Sequence, residues 1–210
     1  MPTDAIRLVV WSDYLCPWCY VGTVRLDKLQ IAEGEGVTLE WRSFLLRPFP
    51  EDRDVDDFVA YTRNWSRPAE MEPAAPFTVP WSGEHLPPSH SMPPAVAAKV
   101  VEGYFPAHFD AFHRSLLTAY FVDNRTVSDR GVLAEVARSV GIDRSAFEAI
   151  YDDQWEPLAR TAYDQHNQAI GLGIGGVPAV VIDHRHLVTG AVDVAHYQAA
   201  LDQVRAEQAS

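Results

Sequence analysis

The apolar positions of this chain follow two periods. Ile6 to Trp11 is a short, nearly continuous apolar run, the pattern of a buried strand. Beyond a short loop, Val21, Val24, Leu26 and Leu29 return at helical spacing, and Gly34-Glu35-Gly36 halts that helix. Val37 to Leu45 alternates apolar and polar, as a half-buried strand does. Strand, helix, strand at this spacing predicts a βαβ unit with parallel strands and a right-handed crossover.

From Glu51 to Pro94 the periodicity weakens. Val55 to Arg63 fits a short helix, after which prolines from Pro68 to Pro94 interrupt anything regular. Trp65, Phe77 and Trp81 lie among them, and disordered linkers are poor in such residues. The segment is therefore expected to be ordered and irregular, lying over a surface as a lid near the site.

Ala95 to Trp155 reads as helical throughout. The expected helices are Ala95 to Tyr104, Pro106 to Tyr120, one capped by Ser128 and running to Val140, and one from Asp143 or Ser145 through Tyr151. Phe109, Phe112, Leu116 and Leu117 make one apolar face of the second. A further helix covers Leu158 to Leu172. Gly175-Gly176-Val177-Pro178 then leads into a β-branched run ending at Asp183, with Pro178 at its start because proline cannot donate in a ladder. His184-Arg185-His186 turns into the strand Leu187 to Ala191, an antiparallel hairpin, and Val194 to Val204 closes the chain as a helix after Asp193. The pattern predicts one α/β sheet, built from residues 1–50 and 156–210, interrupted by an all-helical insertion over residues 51–155.

Composition narrows the function. A net charge of −12 and a pI near 5.0 argue against nucleic acid as a partner. No apolar run reaches the length of a membrane span. Met1 to Arg7 runs straight into the first strand, without the pattern of a signal peptide. With two cysteines in all and no export signal, a reducing, cytoplasmic location is expected. A monomer and a homodimer fit the sequence equally.

Both cysteines lie in Cys16-Pro17-Trp18-Cys19, between the first strand and its helix. Pro17 suits a first helical turn, so Cys16 stands at the helix N-terminus, where free N–H groups and the dipole stabilise a thiolate. Cys19 follows one turn later. That spacing suits a dithiol that exchanges disulfides, with Cys16 as nucleophile and the deeper Cys19 as resolving thiol. A zinc site would need four ligands, and His184 and His186 are too few to supply the rest. A structural disulfide would close almost no loop and stabilise little. Asp13 reads as a loop cap, Tyr14 as either a packing residue or a substrate contact, Trp18 as exposed, and His85 and His90 as solvated loop residues.

The cysteine motif, the helical insertion and Gly176-Val177-Pro178 together resemble the DsbA-like thioredoxin family. The segments Asp13 to Gly22, Ala119-Tyr120-Phe121 and Thr126 to Asp129 look most like its FrnE-like branch, related to 2-hydroxychromene-2-carboxylate isomerases and kappa-class glutathione transferases. The resemblance implies a thioredoxin-like mixed sheet with a large all-helical insertion. It implies a cis Pro178 lying against the dithiol, with the Val177 backbone facing Cys16. It also implies a protein disulfide oxidoreductase in which Cys16 and Cys19 are catalytic and Tyr14, Trp18, Val177 and Pro178 contact substrate. No organic cofactor or metal is needed; partners are protein thiols or small thiols and disulfides, with glutathione as a co-substrate. The alternatives are a glutathione-dependent isomerase or transferase, whose relatives commonly carry serine where Cys16 stands, and a non-catalytic binding module. Ala179 stands where many relatives carry a large aromatic, so a wider groove beside Pro178 is expected. So is a mostly apolar pocket between sheet and insertion, bordered by Cys16, Trp18, Val177 and part of residues 77–94.

Overall fold

The computed structural model describes residues 5–209. The expected lead-in from Met1 to Asp4 lies outside the described residues. Four strands form one mixed sheet: β1 (Ile6–Ser12), β2 (Val37–Ser43), β3 (Ala179–Ile182) and β4 (His186–Thr189), in the order β2-β1-β3-β4. β1 pairs parallel with β2, in register from Ile6 with Val37 to Ser12 with Ser43. β1 pairs antiparallel with β3, and β3 with β4. This is the thioredoxin-like mixed sheet with a helical insertion that the resemblance implied.

β1 is central and covered on both faces, which explains its nearly continuous apolar run. Leu8 and Val10 point to α1 (Pro17–Glu33) and α9 (Val194–Gln208), packing with Leu26, Leu29, Tyr197 and Leu201. Val9 and Trp11 point the other way, to Phe44, Ala169 and Ile174, under α8 (Trp155–Gly171). Each such buried side chain contributes about 1.5–3 kcal/mol relative to exposure. Asp183 and His184 both adopt left-handed backbone in the β3–β4 turn, as a tight hairpin with the sheet's twist requires.

Six helices lie between β2 and α8: α2 (Val55–Thr62), α3 (Ser66–Met71), α4 (Met92–Tyr104), α5 (Phe109–Phe121), α6 (Arg130–Ser139) and α7 (Arg144–Asp153). Three of these boundaries correct the expectation in one direction. α3 contains Pro68, α4 begins ahead of Pro93 and Pro94, and α8 begins ahead of Pro157. Each proline sits in a first turn, where the missing N–H has no intrahelical partner to lose. α6 is capped by Asp129, whose carboxylate accepts from Val132 N–H, and not by Ser128, whose hydroxyl accepts from Ser89 N–H. Pro106 to His108 is a separate 3-10 turn, so α5 starts only at Phe109.

The proline-rich segment is ordered. Trp65 and Trp81 are fully buried beside Phe58, Tyr120 and Phe121, and Thr78 N–H donates to Phe121 C=O. The segment lies on the insertion's own core and is not a lid.

A buried ion pair ties the insertion to the sheet. Arg25 of α1 donates to Glu72 just past α3, to Met71 C=O and to Ala191 C=O after β4. Lys28 reaches the second Glu72 oxygen at 2.7 Å. Burial alone would push the Glu72 carboxyl up, but the bonds from Lys28, Arg25 and Ala74 N–H outweigh it and hold it below its ordinary range. Glu72→Gln is expected to cost about 3 kcal/mol in urea unfolding at neutral pH, because Arg25 keeps its charge and loses its partner. A depressed carboxyl stabilises the fold above its unfolded value and loses that contribution as pH falls below about 4.5. The wild type should therefore lose stability below that pH more steeply than Glu72→Gln; parallel profiles would show that the pair is not the anchor.

Candidate active site

Cys16 is the N-cap of α1, and Pro17 fills the first helical position. The turn is tight: Cys16 N–H donates to Asp13 C=O at 3.1 Å, and Cys19 and Tyr20 N–H both donate to Cys16 C=O. Both cysteines are free thiols; Cys16 is 5% exposed and Cys19 1%. Burial pushes the Cys19 thiol well above its ordinary value, and the adjacent Cys16 sulfur adds to the rise. Cys19 is thus the thiol that resists ionisation, and Cys16 lies nearer the solvent.

The Val177–Pro178 peptide is cis. The Cys16 thiol donates to Val177 C=O, with Sγ 3.5 Å from the oxygen. Pro178 is buried against α1 at Gly22, where an added Cβ would stand 3.0 Å from the proline Cγ and 3.3 Å from its Cβ. Hydrogen at position 22 is what lets the proline loop reach the cysteine helix. Ala179 is fully buried among Trp11, Phe44, Ala169 and Ile174, so its size does not widen a groove beside Pro178. Trp18 is half-buried, not exposed, and the Arg67 guanidinium lies over its ring, 5.9 Å from the centroid.

Asp13 is 2% exposed and does not cap α1. Its two oxygens accept from Leu15 N–H and Leu46 N–H, each at 2.6 Å, tying the cysteine loop to the exit of β2. Burial pushes its carboxyl up, against the pull of Ser91 and the two amides. Tyr14 donates toward His113 of α5, with Oη 2.7 Å from Nδ1. Thr23 Oγ1 lies 3.2 Å from His113 Nε2 and donates to Cys19 C=O at 3.0 Å. A hydroxyl has one proton, so Nε2 carries the imidazole hydrogen and Nδ1 accepts from Tyr14. Burial, then Arg114 and Lys99, pushes His113 down to about 3, and its ring stays neutral.

A chain of hydrogen bonds thus runs from α5 to the carbonyl of Cys19. His113 is not among the residues that the sequence singles out. The available signal was its place in the Phe109–Phe112–Leu116 stripe, where a polar residue must find partners inside the core.

One cavity between sheet and insertion is lined by Ser12, Tyr14, Trp41, Ser91, Lys99 and His113, among others. Its volume of about 20 Å³ holds roughly one water and no substrate. Ser91 brings the proline-rich segment to it, but Cys16, Trp18 and Val177 do not border it. Tyr20 stacks on Phe121 and meets Phe77 edge-on, filling the insertion side of α1. His85 is exposed, and His90 pairs with Ser89. Among the described residues no cluster of His, Cys, Asp and Glu could hold a metal, and no helix is long and apolar enough to cross a membrane.

A family profile described as the DSBA-like thioredoxin domain matches residues 7–64 and 85–202. The fold is similar to that of a Nitrosomonas europaea protein provisionally named a protein disulfide isomerase, at TM-score 0.81 and 17% identity over 97% of this chain and 99% of that one. It is similar to the probable DsbA oxidoreductase SCO1869 of Streptomyces coelicolor, at TM-score 0.74 and 25% identity over 96% and 91%. It is also similar to the cytosolic disulfide reductase DsbM of Pseudomonas aeruginosa, solved with GSH, at TM-score 0.73 and 22% identity over 96% of both chains.

Two outcomes follow from this geometry. Gly22→Ala should push Pro178 back by a few tenths of an ångström and cost about 1–3 kcal/mol, with a loss of disulfide-exchange rate larger than that of Val21→Ala, at a neighbouring buried position of α1. Unchanged stability and rate would mean that the loop does not depend on the contact. A base with a depressed folded value stabilises above its unfolded value and loses that contribution as pH falls. Urea midpoints of the wild type should therefore fall from about pH 6.5 toward pH 4, at up to about 1.4 kcal/mol per unit from His113 alone. His113→Gln should remove that component, and an equally steep profile in the variant would exclude it.

Proposed function

The chain belongs to the DSBA-like thioredoxin domain family, and from that premise we propose that it is a thiol–disulfide oxidoreductase acting through Cys16 and Cys19. The observation that carries the reading is the pair itself. One thiol caps the helix and touches the Val177 carbonyl, while the other lies one turn deeper and is held neutral by burial. In the reducing direction the Cys16 thiolate attacks a disulfide R–S–S–R′, forms the bond Cys16–S–S–R and expels R′S⁻. Cys19 then loses its proton and attacks the Cys16 sulfur, which closes the protein disulfide and releases RS⁻. Two electrons pass from the dithiol to the substrate. A thiol pool such as glutathione returns them, and the same steps reversed oxidise a dithiol substrate.

Further parts of this reading rest on the motif and on resemblance. We place the chain in the FrnE-like branch and in the cytoplasm, a location supported by its likeness to a cytosolic reductase. We divide it into a thioredoxin-like part, residues 1–50 with 156–210, and an insertion over residues 51–155. We assign Trp18, Tyr14, Val177 and Pro178 to substrate contact; Trp18 and Val177 remain partly open, whereas Tyr14 reaches substrate only if its bond to His113 breaks. Retention of both thiols favours exchange over the isomerase alternative, which needs no second cysteine.

The test is trapping. Cys19→Ser incubated with a disulfide-bonded protein such as insulin should accumulate a mixed disulfide at Cys16, seen by non-reducing electrophoresis and mass spectrometry. Cys16→Ser should accumulate none and lose turnover by at least about a hundredfold. The reverse trapping pattern would exchange the two roles, and turnover that survives Cys16→Ser would exclude the reading.

A further inference from the structure

The Arg67 guanidinium carbon stands 5.9 Å from the ring centroid of Trp18, the residue between the two cysteines. Arg67 is exposed and has no carboxylate partner among the described residues, although the chain carries 29 acidic residues and a net charge of −12. Many other arginines of this chain are paired, among them Arg25, Arg114, Arg130, Arg138 and Arg144. A cation left unpaired on the residue that separates the two cysteines is one that a ligand can pair with.

Its position is held, not incidental. α3 carries Arg67 near one end, and just past its other end Glu72 grips Arg25 and Lys28 of α1. Arg25 also holds Met71 C=O. The helix that bears the cysteines and the helix that bears Arg67 are therefore pinned together by a buried ion pair. A guanidinium lying on an indole face keeps its in-plane N–H groups free for a carboxylate, in the bidentate geometry that arginine favours.

We propose that Arg67, laid on Trp18, is a specificity-determining residue that selects carboxylate-bearing thiols and disulfides at Cys16. The proposal rests on the oxidoreductase reading and adds the charge class of its substrate. A cationic or neutral disulfide gains nothing from Arg67, whereas an anionic one is both attracted on approach and held in place.

The experiment compares three small disulfides: glutathione disulfide, which carries carboxylates, hydroxyethyl disulfide, which is neutral, and cystamine, which is cationic. Turnover is coupled to regeneration of the dithiol by dithiothreitol, and kcat/KM is measured at low and high salt. The wild type should prefer glutathione disulfide to cystamine, and Arg67→Glu should shift that ratio toward cystamine by about tenfold or more, less so at high salt. Arg67→Lys should keep the direction of the preference but only part of its size, because the charge stays while the stacked, bidentate fork is lost. Equal loss on all three substrates, or a ratio that Arg67→Glu leaves unmoved, overturns the proposal while leaving the oxidoreductase reading intact. Failure of the wild type to turn over even hydroxyethyl disulfide overturns both.

Discussion

Helix α1 has almost no free surface over its first turns, and the rest of the structure is arranged around that constraint. Cys19 through Thr23 are all buried, as are Arg25 and Leu26. Each flank is covered by a different part of the chain. Leu26 and Leu29 pack on the sheet and α9, Tyr20 and Val21 join the core of the insertion, and Gly22 meets Pro178. A helix enclosed in this way cannot shift to suit a substrate without disturbing a core. The cysteines at its start inherit that rigidity, which is what a pair of sulfurs needs if one is to meet the other within a single turn.

Enclosure also sets the chemistry. Burial pushes the carboxyl of Asp13, the phenol of Tyr14 and the thiol of Cys19 toward their neutral forms, and it keeps His113 uncharged. The cysteine loop therefore rests on a neutral network, Tyr14–His113–Thr23, that ends on the carbonyl of Cys19. Two charged groups beside α1 stand out. One is the Arg25–Glu72–Lys28 cluster, spent on joining α1 to α3, and the other is Arg67 on the outer face of Trp18.

The sheet and the cysteine motif were legible because their signals are local. The apolar run of β1, the alternation of β2, Pro17 at a helix start and Pro178 ahead of a β-branched run each act over a few residues. Helix starts at Met92 and Trp155 were hidden because proline reads as a breaker, yet it is tolerated in a first turn. The contacts that shape the site were not legible for a different reason. Gly22 with Pro178, Tyr14 with His113 and Arg67 with Trp18 join positions separated by 49 to 156 residues, and no local pattern encodes such distances. Ala179 shows the converse error. An alanine where many relatives carry a large aromatic implied a wider groove beside Pro178, but the direction of Ala179 on β3 turns it into the core.

The role of the insertion changes accordingly. An overhanging domain that walls an apolar pocket would spend its aromatic residues on the cleft. Here Trp65, Phe77, Trp81, Tyr120 and Phe121 instead pack on one another and on Tyr20. Their contribution is to make the insertion rigid and to seat it on α1. What it delivers to the site is a small number of side chains from fixed positions: His113 behind the cysteine turn, Ser91 on Asp13, and Arg67 in front. A thioredoxin-like sheet alone offers a dithiol and a proline loop, which many disulfides could approach. The insertion adds support on the inner side and a single charge on the outer side, and selectivity at such a site arises from those few groups rather than from an enclosing pocket.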